Sequence, residues 1–207
     1  MVELEYDQLE ALWQTFQLRQ QVDPTYRAED FAADHPENLA QIEYFFPILD
    51  ELNSIASSYP KVAEVYATRA DFFAHRNRWS EALSDARTAG KLNPFDESPK
   101  MVELRALYNL TYYDEGIKRA DFLLAGGLSD ATRADTLFWR GFFHKRLHHP
   151  EEAIRDIEDS FRYDSWNLPR IITQLTQRGY YDGEVSDAYS DKVRNGLQAC
   201  IIDPECG

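Results

Sequence analysis

Apolar positions in the first sixty residues recur at helical spacing. Leu9, Leu12, Trp13 and Phe16 share one side of residues 4–19, and Asp23-Pro24-Thr25 interrupts the pattern. Ile42, Phe45, Phe46, Leu49, Leu52 and Ile55 then mark residues 38–57. Steps of three and four put each set on one helix face, so both stretches are expected to be amphipathic helices. Pro47 lies inside the second and is expected to kink or divide it, because its nitrogen carries no donor. Further on, Tyr66, Ala70 and Phe73 form a third stripe, which Arg76-Asn77-Arg78 breaks. Ala82, Leu83, Ala86 and Ala89 form a fourth, ending at Asn93-Pro94, with Ser80 after Trp79 as the expected N-cap. Near the end, Leu168, Ile171, Ile172 and Leu175 predict a short amphipathic helix. Arg178-Gly179-Tyr180-Tyr181-Asp182-Gly183-Glu184-Val185 reads as a tight turn whose two glycines are free to take positive φ. A final helix over residues 187–199 carries Val193 and Leu197 toward Cys200.

The third and fourth stripes belong to a repeat. Residues 63–96 make 34 positions that read as helix, turn, helix. Thirty-four places after Ala82 lies Gly116, in Tyr113-Asp114-Glu115-Gly116-Ile117, which keeps the aromatic, polar, Glu, small, aliphatic order of the segment beginning at Trp79. The helix before it carries Val102, Leu104, Ala106, Leu107 and Leu110, and Gly126-Gly127 supplies a stop. Thirty-seven places further, Pro150-Glu151-Glu152-Ala153-Ile154 repeats the signature with proline in the aromatic place, preceded by Leu137, Gly141 and His144. The three extra residues fit the connection through Gly126-Gly127, where Ser129 or Asp130 is placed to cap the next helix.

Tyr66, Ala70, Phe73, Trp79, Ala82, Ala89 and Pro94 resemble the tetratricopeptide (TPR) repeat, in which two antiparallel helices pack through small residues and a proline closes the unit. The resemblance extends over residues 63–96, 97–130 and 131–167; the second unit lacks the closing proline, and the third has Ser165 there and His144 in place of an aromatic. It implies an all-α fold: a TPR-like helical-repeat solenoid of about three repeats. Acidic N-terminal capping helices (residues 1–60) and a small helix-turn-helix C-terminal cap (residues 168–207) would cover its ends, because one helix pair alone cannot bury its apolar face. The resemblance also assigns a concave groove to Asp71 and His75, to Arg105, Tyr108 and Asn109, and to Phe142 and Lys145. Such a groove would hold a protein or peptide partner, with Tyr108 and Phe142 as anchors and Arg105 or Lys145 for carboxylates. The N-terminal helices folding into it are the alternative occupant.

Leu175, Gly179, Tyr180, Tyr181, Gly183, Val185, Tyr189, Arg194 and Leu197 resemble the core of small three-helix peptidoglycan-binding modules. That implies wall contact through Gly179, Tyr180, Tyr181, Gly183, Tyr189 and Arg194. Where the family usually has Asp-Gly, this chain has Ser186-Asp187-Ala188. From its residues alone, the segment reads more simply as a folded cap covering the exposed end of the solenoid.

Composition narrows the function classes. With 36 acidic and 22 basic residues the net charge is −14, which excludes a nucleic-acid binder working through bulk phosphate attraction. Apolar residues at 43% and aromatics at 14% exclude disorder driven by low hydrophobicity, and no run is long enough for a membrane span. The charge is uneven: residues 1–60 hold twelve acids against Arg19 and Arg27. That face either solvates the chain or meets a basic partner. Cys200 and Cys206 flank a turn at Asp203-Pro204 and suit one disulfide, which favours a periplasmic or extracellular location with any signal peptide removed. His144 and His148 are spaced for two metal ligands, but without a carboxylate in an H-E-x-x-H arrangement they imply no metal, and no cofactor motif occurs. No G-x-S-x-G elbow or phosphate-binding glycine loop is present, so no enzyme is expected. The reading is a non-enzymatic interaction scaffold of the bacterial envelope. The alternatives are a cytoplasmic adaptor, chaperone or immunity-like inhibitor using the acidic region, and a regulatory or targeting domain of a larger hydrolase.

Overall fold

A computed structural model describes residues 39–163, 167–183 and 189–206, and every regular element among them is a helix. These are α1 (Leu39–Ser58), α2 (Ala63–Ala74), α3 (Trp79–Leu92), α4 (Ser98–Asn109), α5 (Tyr113–Leu124), α6 (Asp130–Arg146), α7 (Pro150–Ser160), α8 (Asn167–Gln177) and α9 (Asp191–Ile202). The helix expected over residues 4–19, the break at Asp23-Pro24-Thr25, Ser165, Val185 and Ser186-Asp187-Ala188 lie outside the described residues. Among the described residues no helix is long and apolar enough to cross a membrane.

By packing, the chain divides into two compact units, Met1–Asn93 and Pro94–Gly207. In the first, α1 packs on α2 and α2 lies along α3, burying Leu49, Ala56, Ala70, Phe73, Ala82, Leu83, Ala86 and Ala89. The fully buried Ala70 and Ala82 are small where the helices press together. In the second, α4 to α7 pack in succession, α4 also meets α6, and α9 packs on α7 and α8. Phe138 of α6, Ala153 and Ile157 of α7, Ile171 and Ile172 of α8, and Val193 and Leu197 of α9 form one apolar cluster.

Four expectations are corrected. Pro47 does not divide its helix; α1 runs through it, because a proline removes a single backbone donor while neighbouring bonds persist. Ser80 is not the N-cap of α3, since the Ala82 amide already bonds the Arg78 carbonyl (3.0 Å), which starts the helix at Trp79. The last helix begins at Asp191 rather than 187, where the Ser190 side chain accepts from the Val193 amide, and it continues to Ile202. Of the two turn glycines only Gly179 has positive φ (80°); a Cβ on Gly183 would meet the outer end of the Tyr181 side chain, which would have to move to admit it.

One turn recurs. Asn77, Thr111 and His148 have φ of 58°, 63° and 60°, at intervals of 34 and 37 residues. Each follows the last turn of α2, α4 or α6, and the next amide reaches back five residues: Arg78 to Phe73, Tyr112 to Leu107 and His149 to His144, each at 2.9 Å. This left-handed C-terminal closure satisfies carbonyls the helix end would leave open and redirects the chain into α3, α5 or α7. Gly179 makes the same closure after α8, with the Tyr180 amide 2.8 Å from the Leu175 carbonyl.

An ion pair recurs in the same frame. Arg69 Nε lies 2.6 Å from Asp85, Arg119 Nε 2.8 Å from Glu103, and Arg140 Nε 2.7 Å from Asp156, each pair sixteen residues apart and joining the two helices on either side of the turn. Asp85, Glu103 and Asp156 are the buried carboxylates among the described residues. Arg69 also donates to Asn53 of α1 (2.8 Å), and Arg140 to Asp121 of α5 (2.6 Å), so two of the arginines brace a third helix.

Candidate functional site

Of the groove positions named from sequence, Asp71 and His75 stand in the first unit. The Asp71 carbonyl lies 2.8 Å from His75 Nδ1, and His75 is exposed at the end of α2. The remaining five belong to the second unit. Arg105 and Tyr108 are partly exposed one turn apart on α4, and the exposed Asn109 donates to the Arg105 carbonyl (2.8 Å).

Tyr108 is the hub of an aromatic group that joins α4 to α6. Its ring centroid lies 5.6 Å from Trp139, 6.0 Å from Phe143, 6.1 Å from Phe142 and 5.8 Å from Tyr113. These tilted and edge-on separations suit rings with negative faces and positive edges. Arg146 closes the group: its Nε donates to the Tyr108 hydroxyl (2.8 Å), and its guanidinium carbon stands 5.5 Å above that ring. Phe143 is fully buried, while Tyr108, Trp139 and Phe142 keep part of their surface in water. Trp139 and Arg146 did not stand out in the sequence, yet they lie three residues before and four after Phe142, the spacing of one helix stripe.

Phe142 and Lys145 are occupied from the other side. Phe142 packs against the cluster formed by α7, α8 and α9. Lys145 donates from Nζ to the Cys206 carbonyl and lies 3.8 Å from Cys200 Sγ. Burial, reinforced by the nearby Arg146 and Arg178, pushes its amine down from 10.5 to about 8. The chain's own C-terminal loop therefore covers this end of the face.

That loop is closed by the Cys200–Cys206 disulfide, with Cα atoms 5.2 Å apart. Of the residues named for wall contact, Tyr180, Tyr181 and Tyr189 are half-buried against the apolar cluster, while Gly179 and Arg194 are exposed. The Tyr180 hydroxyl bonds Asp203, and Tyr189 (2.6 Å) and Arg194 (2.7 Å) both donate to Glu158 of α7. Burial and the adjoining Glu158 carboxylate push the Tyr189 phenol up. Tyr181 is partly buried beneath the Lys192 ammonium, 5.5 Å from its ring centroid. A Cβ on Gly196 would stand 2.5 Å from the Tyr180 carbonyl, so α9 can lie this close to the turn only with a glycine there.

The two histidines spaced for a metal do not converge. His148 occupies the left-handed turn, whereas His144 faces His149 across 3.4 Å and lies 3.9 Å from Asp156, a carboxylate already held by Arg140. Burial pushes the His144 imidazolium down. Among the described residues no group of three His, Cys, Asp or Glu is arranged to hold a metal ion.

Among the described residues, fold and face together define an all-helical arrangement of packed helix pairs with a disulfide-closed tail. No protein-family model matches the chain, and no curated protein matches it in sequence.

Proposed function

We propose that the chain is a non-enzymatic interaction scaffold of tetratricopeptide type, which holds an extended peptide or helix of a protein partner on the α4–α6 face. The observation that carries this reading is the partly exposed aromatic group around Tyr108, flanked by Arg105 and Arg146. Aromatic anchors beside arginines are the side chains that contribute most to recognition of a protein segment. Recurrence of the left-handed turn and of the ion pair at 34 and 37 residues supports a repeat origin for the three helix pairs. The bonds of Tyr189 and Arg194 to Glu158 of α7, and of Tyr180 to Asp203 within the tail, support a capping role for the tail in preference to wall binding. The disulfide favours an oxidising compartment such as the periplasm.

The test is a peptide-display selection against the folded chain, followed by affinity measurements on the enriched peptides. Tyr108→Ala should weaken them by about tenfold or more, and Arg105→Gln should weaken those carrying carboxylates. Enriched peptides that bind Tyr108→Ala as well as the parent chain would remove the reading.

A further inference from the structure

Arg133, Leu137 and Arg140 are spaced i, i+4, i+7 along α6 and form a stripe on the side opposite Phe142. They line an open cavity of about 250 Å³ with Leu124 of α5, Asp159 of α7, and Arg162 and Tyr163 after it; Asp159 is the one carboxylate in that lining. Three guanidinium groups around one small cavity is an unexpected feature in a chain of net charge −14.

The three arginines are not equally committed. Arg140 is neutralised by Asp156 and Asp121. Among the described residues Arg162 makes one ion pair, with Asp159 (3.1 Å) three residues away, its side chain 77% exposed, and Glu158 lies close enough to feel its charge. Such a pair is worth little in water and yields readily to a competing anion. Arg133 faces no carboxylate at ion-pair distance among the described residues. Its two terminal nitrogens each sit 3.4 Å from a carbonyl, of Leu124 and of Gly126, and its guanidinium carbon stands 5.6 Å from the Tyr163 ring centroid. Those contacts hold the group in place but, among the described residues, set no carboxylate against its charge and leave most of its five donors underused.

We propose that this cavity binds the phosphoryl group of free phosphate or of a phosphate monoester, with Arg133 as the primary ligand and Arg162 swinging from Asp159 to join it. Planar guanidinium forks match oxyanions in bidentate fashion, and two forks from different elements offer more donors than one carboxylate can use. A phosphoryl group, with three oxygens and close to two charges, uses them. The volume suits a group of that size, being smaller than the pockets that enclose whole cofactors. Repulsion from the acidic chain keeps affinity modest, on the order of millimolar, and makes it fall with added salt. The site lies away from Tyr108 and stands independently of the peptide-binding reading.

The test is a titration of the whole chain with inorganic phosphate at constant ionic strength, followed by amide chemical shifts. Saturable shifts at Leu124, Gly126, Arg133 and Tyr163 are expected, with acetate weaker. Arg133→Gln should raise the dissociation constant about tenfold, and Arg162→Gln, which leaves the fold untouched, should raise it several-fold. A parallel titration with O-phosphoserine separates the two sources: equal affinity means the phosphoryl group alone is read, and tighter binding means a phosphorylated ligand is. Shifts that do not saturate or that scatter over other basic residues would overturn the proposal, as would an affinity unchanged in Arg162→Gln.

Discussion

Glu103 of α4 faces Arg119 of α5 with the charges exchanged relative to the corresponding pairs on either side of it in sequence. In Arg69–Asp85 and Arg140–Asp156 the arginine stands on the first helix and the acid on the second. The acid is the buried member every time, so in the middle pair the buried charge lies on the first helix. Arg119→Met removes the cation facing a buried carboxylate and should destabilise residues 94–207 by about 2–3 kcal/mol. The figure falls below that for a fully buried pair because Arg119 keeps 27% of its side chain in water. The double variant Glu103→Met/Arg119→Met should lose less than the single one, since it strands no charge. Urea midpoints of the four members of that cycle decide the matter, and additive losses would mean that the pair does not couple.

The same pairs mark what the sequence could and could not disclose. Intervals of 34 and 37 residues were legible from small residues such as Ala82, Gly116 and Ala153, because helix packing demands small side chains at a fixed register. The ion pairs follow that register, but the reversal at Glu103 hides them from a search for one repeated residue type. The turns were hidden differently: of Asn77, Thr111 and His148, threonine is β-branched and the least suited to a left-handed backbone, so residue preference pointed elsewhere. Tyr108 and Phe142 were named as groove residues, whereas the covering of Lys145 was not foreseen. That contact spans 61 residues and depends on how the tail packs, which local spacing does not encode.

Gly116 and Gly90 should respond to alanine in opposite directions. Both lie within helices, where alanine is ordinarily favoured by about 0.5–1 kcal/mol. A Cβ at Gly90 meets nothing within 4 Å, so Gly90→Ala should stabilise by about that amount. A Cβ at Gly116 runs into the ring of Phe143, which is fully buried, so the ring would have to shift within the core. Gly116→Ala should cost about 1–2 kcal/mol, the overpacking penalty less the helix gain. Thermal melts of the two variants provide the check, and a stabilised Gly116→Ala would show that Phe143 can shift.

Glu97 gives the second unit a dependence on acid. Its carboxylate accepts from the Ser129 amide (2.9 Å) and from the hydroxyls of Ser129 and Thr132, tying the start of α4 to the cap of α6. The Ser129 hydroxyl, with further bonds from Thr132 and the Ser129 amide, holds the group down from 4.5 to about 2. Because the unfolded chain takes up the proton first, the contribution is complete above pH 4.5 and disappears as pH falls toward 2. Glu97→Gln should therefore be less stable than the parent near neutral pH, with the gap closing on acidification. Urea midpoints from about pH 6 downward measure it, and a gap independent of pH would rule out the carboxylate as its source.

Lys145 makes docking of the tail sensitive to alkali, because desolvation beneath the loop is the main cause of its lowered amine. Between pH 8 and 10.5 the unfolded chain holds a proton that the native one has released. Stability should therefore rise with pH across that window, the reverse of the Glu97 case in mechanism though not in sign. Lys145→Met should abolish the rise. The disulfide tests whether the loop is the cause: Cys200→Ser/Cys206→Ser removes a short closed loop and should cost about 2 kcal/mol. If the loop then lifts, water returns to the amine and its titration moves from about 8 back toward 10.5. Side-chain NMR of Lys145 in the two proteins reads that shift directly. An amine that still titrates near 8 in the serine variant would place the desolvation in the packing of α6 against α8 and α9, with the covalent closure of the tail having no part in it.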